Sequence, residues 1–522
     1  MRIRLFVPVA IAAGLAAGCS LIGLGIGTVI DGDKKATTVP GWMIESVRPG
    51  RKVTLALRDG RIVKGTYRGL DGVTAGETPL RSAVAIISGS QAARVPVADV
   101  IQVQVHGGKA RLIGFVIGAV VDTIILASAY EPPPPPPQCN GGPCPVSCPF
   151  VYSFDGERYV LDTEVFGGAI FEAAQRSDRA SLDHLVEADG AYRLRLANEL
   201  QEVQYVDGVE LIVVDHPTGT RVVPSLDGRL HVLGNPVLPS RATDLGGADV
   251  RALLSDAGGG PWVSNPFAHG GDRAGDGRDG VVLEFPRPSG AATATLAFRA
   301  RSTPWASVLL RRVLGLHGRD QAAWTGRMNA DAAARGAFLG ALRREGLLTI
   351  RVWTGSAWRE AGFLANMAEA VDREQAIVVD LAGIPGDVLR VRVDSTAGMW
   401  ILHGAEADFG ATSPARVTEL PPSTARTARG DDIRDVLAAV DGRRLVMNPG
   451  LDSADLVFDA PPREPGLRRS FLFQATGYYT ILVPADGEPQ PDLYESLVAE
   501  PGAFARYSAE LLRVASRGLE AR

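Results

Sequence analysis

The 522-residue chain has few of the residues that cross-link small domains or carry common catalytic chemistry. It contains 4 Cys and 7 His, and aromatic residues make up only 6% of it. So few cysteines in so long a chain exclude a disulfide-rich scaffold. The sequence also lacks a P-loop, H-E-x-x-H, G-x-S-x-G and C-x-x-C. It therefore has none of the usual nucleotide-binding, metalloprotease, α/β-hydrolase or thioredoxin motifs.

The net charge and the lack of internal repeats exclude further classes of protein. The net charge is -5, which gives no overall attraction to nucleic acid. No internal repeat of 20–50 residues is present. Gly 60 and Pro 35 are abundant, which favours many short strands joined by turns. Together with the length, this predicts a mostly β protein of two to four domains.

The N-terminus reads "MRIRLFVPVAIAAGLAAGCS". Arg2 and Arg4 precede an apolar run over 5–15, small residues fill 16–18, and Cys19 follows. This is the pattern of a secretory signal peptide. Its end resembles the lipobox of bacterial lipoproteins, in which cleavage leaves a cysteine that carries lipid, including palmitate. An ordinary signal peptide with an incidental cysteine is the competing interpretation.

The lipobox resemblance implies a location for the protein. Residues 1–18 would be removed, Cys19 would carry the lipid, and 19–45 would be a linker. Ser20 resembles the residue found at this position in lipoproteins sorted to the outer membrane. We therefore expect a cell-envelope lipoprotein of the outer membrane, held to the membrane by its lipid.

The strand pattern over residues 46–106 predicts a small SH3-like or Sm-like barrel. The stretch "RKVTLALRDGRIVKGTYRGL" alternates apolar and polar residues and turns at Asp59-Gly60, a strong hairpin signal. About five short strands in this span are typical of such barrels. Sm-like domains often bind RNA, but export and an acidic chain favour a docking role without nucleic acid.

A hydrophobic segment over 111–130 follows the barrel. Its length suits a membrane span, and Gly114 and Gly118 form a GxxxG pair that permits close helix packing. A second such pair, Gly23 and Gly27, lies after Cys19. We favour a glycine zipper formed by the two segments, or association with the membrane surface. A single span, the alternative, would return the rest of the chain to the cytoplasm.

Residues 131–147 form a linker of six prolines followed by cysteines. The prolines predict an extended, semi-rigid spacer. In an oxidising compartment we expect one local disulfide among Cys139, Cys144 and Cys148. A zinc site is the alternative, but the C-x4-C-x3-C spacing lacks a nearby fourth ligand. We expect no metal and no cofactor.

The pattern of the distal region predicts four parts, most of them β. They are a first β-rich domain over 148–300, a helical connection over 301–346, a jelly-roll-like domain of galactose-binding type over 347–410, and a C-terminal β-plus-helix region over 411–522. We expect a hairpin at Asp155-Gly156, a strand pair in "GVVLEFPRP" and "ATATLAFRAR", and another within "RRSFLFQATGYYTIL".

Four phrases in this region together resemble a known family. They are "CPFVYSFDGERYVLDTE", "NELQEVQYVDGVELIVVDHP", "LRVRVDSTAGMWILHGAEADF" and "RRSFLFQATGYY". Their order resembles the β-rich region that follows FG-GAP or tetratricopeptide repeats in ASPIC/UnbV-type extracytoplasmic proteins. The resemblance spans most of 148–515 and includes no catalytic signature. It implies a non-catalytic module for envelope assembly or surface binding.

Three sets of residues are candidates for chemistry. Asp215-His216 could be half of a catalytic pair, although a turn before Pro217 explains it more simply. Asp272, Asp276 and Asp279 lie in a glycine-rich stretch that could bind calcium, but calcium needs six or more oxygen ligands, and a solvated loop is the simpler interpretation. The third set is Asp155, Glu157, Asp162 and Glu164. These carboxylates could collect a cation, but we expect them to face water.

Trp353 and Trp358 flank "TGSA" and are the candidate ligand platform. They could stack on a sugar ring, or simply pack against each other across a hairpin.

The sequence leads to two hypotheses about function. The first is a non-catalytic envelope lipoprotein that interacts with other envelope proteins or glycans. The alternative is a carbohydrate-binding or carbohydrate-active protein that uses the β-sandwich.

Replacing the candidate lipidation site tests the membrane attachment. We expect Cys19→Ser to move the protein from membranes into the soluble fraction, because the acyl chains supply the anchor. The measurement is membrane fractionation followed by a carbonate wash. A variant that stays bound after the wash would show that the segment over 111–130 is the anchor.

Overall fold

A computed structural model describes thirteen stretches of the chain. They are 36–40, 47, 50–57, 61–71, 83–88, 91–96, 100–106, 149–200, 202–255, 260–265, 277–365, 368–449 and 452–520. Residues 36–106 fall in one compact unit, and residues 149–264 and 277–505 in a second. The structure is mostly β, as predicted.

The first unit is an antiparallel sheet in the order β1-β6-β2-β3-β4-β5. Its strands are β1 Ala36–Pro40, β2 Lys52–Leu57, β3 Ile62–Asp71, β4 Ala83–Ser88, β5 Gln91–Pro96 and β6 Val100–His106. Buried side chains from β2 to β6 share one core, so the sheet curls around it. Strand β1 precedes the predicted start at 46. Its short sequence carries no hairpin signal, and it joins the sheet only by pairing with the distant β6.

The second unit contains the remaining strands and most of the helices. Its strands are β7 Phe150–Phe154, β8 Tyr159–Glu164, β9 Arg176–Leu182, β10 Ala191–Asn198, β11 Glu202–Pro217, β12 Arg221–Pro224, β13 Leu230–Leu233, β14 Arg241–Asp244, β15 Trp262–Val263, β16 Arg278–Pro286, β17 Thr293–Ser302, β18 Leu348–Trp353, β19 Trp358–Leu364, β20 Arg373–Asp380, β21 Val388–Thr396, β22 Trp400–Asp408, β23 Arg416–Leu420, β24 Thr424–Thr427, β25 Leu445–Met447, β26 Asp452–Asp459 and β27 Leu467–Ile481. Its α-helices from residue 304 onward are α1 Pro304–Gly315, α2 Gln321–Ala330, α3 Ala332–Ala341, α4 Arg434–Leu437 and α5 Pro491–Ala499. A further helix, α6 Ala503–Glu520, begins in this unit, and its residues from 506 onward are assigned to the first.

The two ends of this unit form the first sandwich. One sheet has the order β24-β26-β10-β7-β8, and the other has the order β23-β11-β27-β9 with β25 paired to β11. The rings of Tyr192 and Phe471, one from each sheet, lie 4.8 Å apart. The sheets therefore face each other across a shared apolar interior.

The middle of the chain forms the second sandwich. Its sheets have the orders β14-β16-β21-β18-β19 and β15-β22-β17-β20. Gly362 of β19 lies against Ile377 of β20, and a Cβ built on this glycine would be 3.2 Å from the isoleucine side chain. Because β11 ends before this sandwich and β27 begins after it, the second sandwich is inserted into the first.

The β12–β13 hairpin lies between the two sandwiches and packs on both. Val222 and Val232 contact Ile212, Val214 and Leu472 of the first sandwich. On the opposite face of the hairpin, Val223 and Leu233 contact Ala297 and Ala376 of the second. Alternation along two short strands thus supplies an apolar face to each sandwich. The hairpin holds the two together.

The helices begin where the sequence provides caps. Thr303 accepts a hydrogen bond from the Ala306 amide and is followed by Pro304 at the start of α1. Asp331 accepts hydrogen bonds from Ala333 N and Ala334 N at the start of α3. These are the residues that helix N-termini prefer. No helix within the described stretches is long and apolar enough to span a membrane.

Three expectations for the distal region are wrong. The boundary at 300 cuts through β17, and strands after 410 complete the first sandwich. The expected pair β16 and β17 lies in two different sheets. The segment 467–481 is one strand, not two. In each case the partner strand is distant in sequence, and local apolar patterns carry no information about it.

A single buried valine tests the coupling of the two sandwiches. Val223 is fully buried, so Val223→Ala should lower the free energy of unfolding by about 2 kcal/mol through lost burial and a cavity. Scanning calorimetry is the measurement, and Val378→Ala, at a valine 48% exposed on β20, is the matched control. Equal shifts for the two variants would contradict the interior position of the hairpin.

Candidate ligand-binding face

Trp353 and Trp358 meet at the tip of the β18–β19 hairpin. They are the last pair of the ladder, and their ring centroids lie 5.4 Å apart at an interplanar angle of 63°. Gly355 in the turn has φ +96 and a proline ring beside it, a conformation and a space that suit glycine. Both indoles are half-buried. Cross-strand packing therefore accounts for the pair, while part of each ring remains exposed.

Arg390 of the neighbouring strand β21 lies against both indoles. Its guanidinium carbon is 5.7 Å from the Trp353 ring centroid and 5.8 Å from that of Trp358. Its Nε is 3.5 Å from Glu284 Oε1. A guanidinium over two aromatic faces gains cation–π attraction. It is also held in one orientation, although its side chain is 43% exposed.

Further along β21, a carboxylate gathers three more arginines. The Asp394 side chain is fully buried. It accepts hydrogen bonds from Arg278 Nε at 2.5 Å, from Arg392 Nη2 at 3.1 Å and from Arg351 Nη1. Charge-assisted bonds of this kind are strong and directional. One acidic group therefore fixes three guanidinium groups.

The sequence explains why these side chains share a face. Arg390, Arg392 and Asp394 alternate along β21 with Val391 and Val393, which are buried on the inner side. Successive residues of a strand point to opposite faces, so the three charged residues lie on the outer side. Opposite Asp394, β16 has Gly280, where a Cβ would be 2.7 Å from the Asp394 Cα. A larger residue would force the two strands apart.

We call this surface the arginine–tryptophan face. Its members are Arg278, Glu284, Arg351, Trp353, Trp358, Arg390, Arg392 and Asp394. Glu360 of β19 lies opposite Arg351 and is paired with Arg343. With this pair counted, five arginines stand against three carboxylates, so the surface carries net positive charge, whereas the whole chain has a net charge of -5. The face is thus opposite in sign to the protein that carries it.

A second polar feature is a cavity of about 330 Å³ beside the β12–β13 turn. It is lined by side chains of β9, β20 and β27 and by the turn residues 225–228. Its size is that of a small-ligand pocket. The polar groups in its wall are bonded to one another, with Arg179 Nε 2.6 Å from Gln474 Oε1 and Ser225 Oγ 2.5 Å from Asp227 Oδ1. They hold the turn against the sheets.

Buried carboxylates gather where the end of β8 meets the loop before β20. The Glu164 carboxylate accepts hydrogen bonds from the amides of Ala370, at 2.6 Å, and of Val371. Burial, and then the charge of Glu164, raises the pKa of Glu369. Burial likewise raises the pKa of Glu202, and Glu164 adds to the shift. Like charges in a desolvated site favour the protonated form.

Asp372 and His403 form another buried pair. The β17–β22 ladder has a bulge at His403, and the Nδ1 of this histidine contacts the Asp372 carboxylate. Burial acts to raise the pKa of Asp372. The hydrogen bond from His403 and the charge of Arg301 outweigh this and hold the pKa at about 2. The pair resembles a general-base dyad in composition. Both side chains are largely buried, and they fasten β22 to the segment before β20.

The Asp215-His216 pair does not act together. Arg469 donates hydrogen bonds from Nε and Nη2 to the two carboxylate oxygens of Asp215, each at 2.8 Å. His216 hydrogen-bonds the hydroxyls of Thr220 and Ser470 instead. Both residues lie at the end of β11 just before the turn at Pro217, as the simpler interpretation predicted.

The expectation that four carboxylates face water is wrong for two of them. Asp155 and Glu157 lie at the β7–β8 turn, but Asp162 and Glu164 are 5% and 0% exposed. Asp162 accepts hydrogen bonds from the backbone amides of Asp183 and His184. Backbone amides supplied by distant loops, which the local pattern does not reveal, explain their burial.

The remaining predicted site residues are placed as follows. Asp279 is buried and accepts a hydrogen bond from Ser264 Oγ at 2.9 Å. Outside the described residues lie Cys19, Cys139, Cys144, Cys148, Asp272, Asp276 and the segment over 111–130. Within the described stretches, no group of three or more His, Cys, Asp or Glu side chains is placed to hold a metal ion.

The arginines of the face were not singled out from the sequence, although a signal was present. "LRVRVD" places arginines two residues apart, which on a strand means a common side. Their convergence with Arg278 and Arg351 depends on strand order, because β21 lies between β16 and β18. That order could not be read from the sequence.

Comparisons with known proteins add no family. No family model matches the chain, and no curated protein matches it. Among solved structures, it is weakly similar to a chain described under "The Triple Jelly Roll Fold and Turret Assembly in an Archaeal Virus". The TM-score is 0.13 and the identity 8%, over 65% of this chain and 98% of that one. A score this low does not establish a common fold.

The buried carboxylates predict a pH dependence of stability. Because burial in the folded protein raises the pKa of Glu202 well above the ordinary value for a glutamate, the folded state binds more protons, and stability falls as pH rises above that ordinary value. Glu202→Gln should therefore make the melting temperature decline less steeply between pH 5 and 8. Glu157→Gln, at an exposed turn, is the control. Parallel curves for the Glu202 variant and the unchanged protein would contradict this assignment.

Proposed function

We propose that the protein is a non-catalytic, lipid-anchored envelope protein that acts as an interaction module. The arginine–tryptophan face is then the surface through which its distal unit contacts a partner. The observation that carries this proposal is the net positive, aromatic character of a built face on an acidic chain. Such complementarity steers and selects anionic partners.

The construction of the face supports a binding role. Aromatic residues and arginine are enriched in binding hot spots, because they offer large contact area and many donors at low entropic cost. Here Arg390 is held by two indoles, and Arg351 and Arg392 are held by Asp394. Groups already fixed in place lose little freedom when a partner binds. A strand scaffold positions them more rigidly than a loop would.

The remaining charges described in the second unit support a structural role for its interior. Arg221 binds both Glu374 and Glu406, which ties the β12–β13 hairpin to the second sandwich. Arg469 binds Asp215 within the first sandwich. The Arg469–Asp215 pair is buried, and buried ion pairs hold elements in register more than they add net stability. The interior thus provides a rigid base for the outer face.

A carbohydrate-binding function is the second candidate. The observation that favours it is the partial exposure of two indoles directly beside Arg390. Aromatic rings present flat apolar surfaces next to a polar edge, which suits the faces of sugar rings. This candidate would use the same surface as the interaction module.

Binding to an immobilised sulfated polysaccharide tests the proposal. The full chain, extracted in detergent, should be retained at low salt and eluted as salt screens the attraction. Arg390→Ala should elute at lower salt than the unchanged protein. Arg429→Ala, which removes a charge from an arginine whose side chain is 80% exposed and distant in sequence, should elute with the unchanged protein.

Two outcomes would overturn the proposal. In one, the full chain passes through the column without retention at low salt. In the other, Arg390→Ala and Arg429→Ala elute at the same salt concentration, which would mean that retention reflects charge in general. Melting curves of both variants establish that each is folded.

A further inference from the structure

The guanidinium groups of the arginine–tryptophan face have more donors than the face has acceptors. Each guanidinium carries several N–H donors in a fixed fork. Among the described residues, Arg351 and Arg392 each donate one hydrogen bond, both to Asp394. Arg390 has only its ion pair with Glu284 at 3.5 Å. The Nε atoms of Arg390 and Arg392 are buried without a hydrogen-bond partner, so the donors that a ligand can reach are on the Nη nitrogens of these side chains, which are 43% and 25% exposed.

The surplus donors belong to neighbouring positions of β18 and β21. Arg390 and Arg392 are two residues apart on β21, which corresponds to about 7 Å. Arg351 is directly opposite Arg392 on β18, at about 5 Å between strands. Two anion positions therefore occur next to each other, the first at Arg390 and the second between Arg351 and Arg392.

The side chains around the anion position at Arg390 limit the class of ligand that can bind there. A guanidinium alone accepts carboxylate or phosphate equally well. Here Arg390 lies within 6 Å of the centroids of two half-buried indoles. A ligand that satisfies both must carry its anion on a ring with an apolar face. A free phosphate has no such ring and would leave the indoles unused.

We infer that the face binds an acidic saccharide with at least two carboxylate-bearing units. The ring of one unit would lie on the exposed part of the indole pair with its carboxylate on Arg390, and the carboxylate of the next would reach Arg351 and Arg392. This inference rests on the proposed function and names the chemical class of its partner. Asp394 and Glu284 are already paired with these arginines, so they set the arginine positions and limit binding of a plain polyanion.

The test measures binding of a defined tetrauronate to the full chain in detergent, by calorimetry or by tryptophan fluorescence. We expect the tetrauronate to bind at least tenfold more tightly than a neutral glucan tetramer. Inorganic phosphate should not displace it at equal total charge. A short oligothymidylate, which can also stack on aromatic rings, should bind more weakly. Arg429→Ala should bind as the unchanged protein does.

Substitutions within the face separate the two parts of the recognition. Arg390→Ala should weaken tetrauronate binding at least tenfold. Arg390→Lys keeps the charge but loses the planar fork, and should recover only part of that loss. Trp358→Phe should weaken the tetrauronate severalfold without changing elution from the sulfated column. If Trp358→Phe does not fold, Trp353→Phe provides the same comparison at the other ring.

The outcomes distinguish this inference from the proposal on which it rests. Retention on the sulfated column that depends on Arg390, combined with no preference for tetrauronate over glucan, overturns the saccharide assignment alone. Displacement by phosphate, or stronger binding of oligothymidylate, also overturns it. Loss of both column retention and tetrauronate binding overturns the inference and the proposed function together.

Discussion

The ladder between β11 and β27 is the constraint on which the second unit depends. Glu202 pairs with Ile481 at one end and Pro217 with Leu467 at the other, so two long strands align over nearly their full lengths. The paired positions are 250 residues apart at one end of the ladder (467 − 217) and 279 at the other (481 − 202), and every element of the second sandwich lies between them. Closing so long a loop costs entropy only logarithmically in its length. The burial along both strands offsets this cost.

The close fit of this ladder has identifiable causes. Gly477 of β27 lies where a Cβ would be 2.3 Å from the Tyr205 carbonyl oxygen and 2.8 Å from the Phe166 ring. Only glycine fits such an approach. The bulge between Val206 and Gly208 sets the register on either side. The β12–β13 hairpin follows directly from β11, which places its two apolar faces between the sandwiches.

Charged side chains have two roles in the second unit. Inside, carboxylates such as Glu164 and Asp372 are surrounded by backbone amides or by a basic partner, because an unpaired charge in a desolvated site is costly. On the outer sheet of the second sandwich, one buried carboxylate supports three arginines, and a fourth is stacked on indoles. The paired charges of the interior hold the fold together. The arginines of the outer sheet keep guanidinium donors that face outward.

Local patterns in the sequence predicted individual strands and hairpins well. Alternation over 348–353 and 358–364 with a tight turn between them predicted the hairpin that brings Trp353 to Trp358. Asp155-Gly156 likewise marked the β7–β8 turn, where Gly156 has φ +101. These features are set by residues a few positions apart. Positive φ at a glycine and period-two burial require no knowledge of the rest of the chain.

The sequence-based predictions that proved wrong share one cause, which is long-range packing. β16 and β17 are neighbours in sequence and read as a pair, yet each finds its partners elsewhere. Asp162 and Glu164 read as solvent-facing and are buried by loops that arrive from later in the chain. Strand partners and loop coverings are chosen by long-range packing, where many pairings satisfy the same alternating pattern.

The sequence by itself determined that this protein is mostly β, where its hairpins turn, and that arginines alternate along β21. Each of these follows from the fixed geometry of neighbouring residues. Only the tertiary structure decided that β21 lies between β16 and β18, so that Arg278 and Arg351 join Arg392 around Asp394. Strand order is a property of the whole core, because it is set by which apolar faces bury one another best.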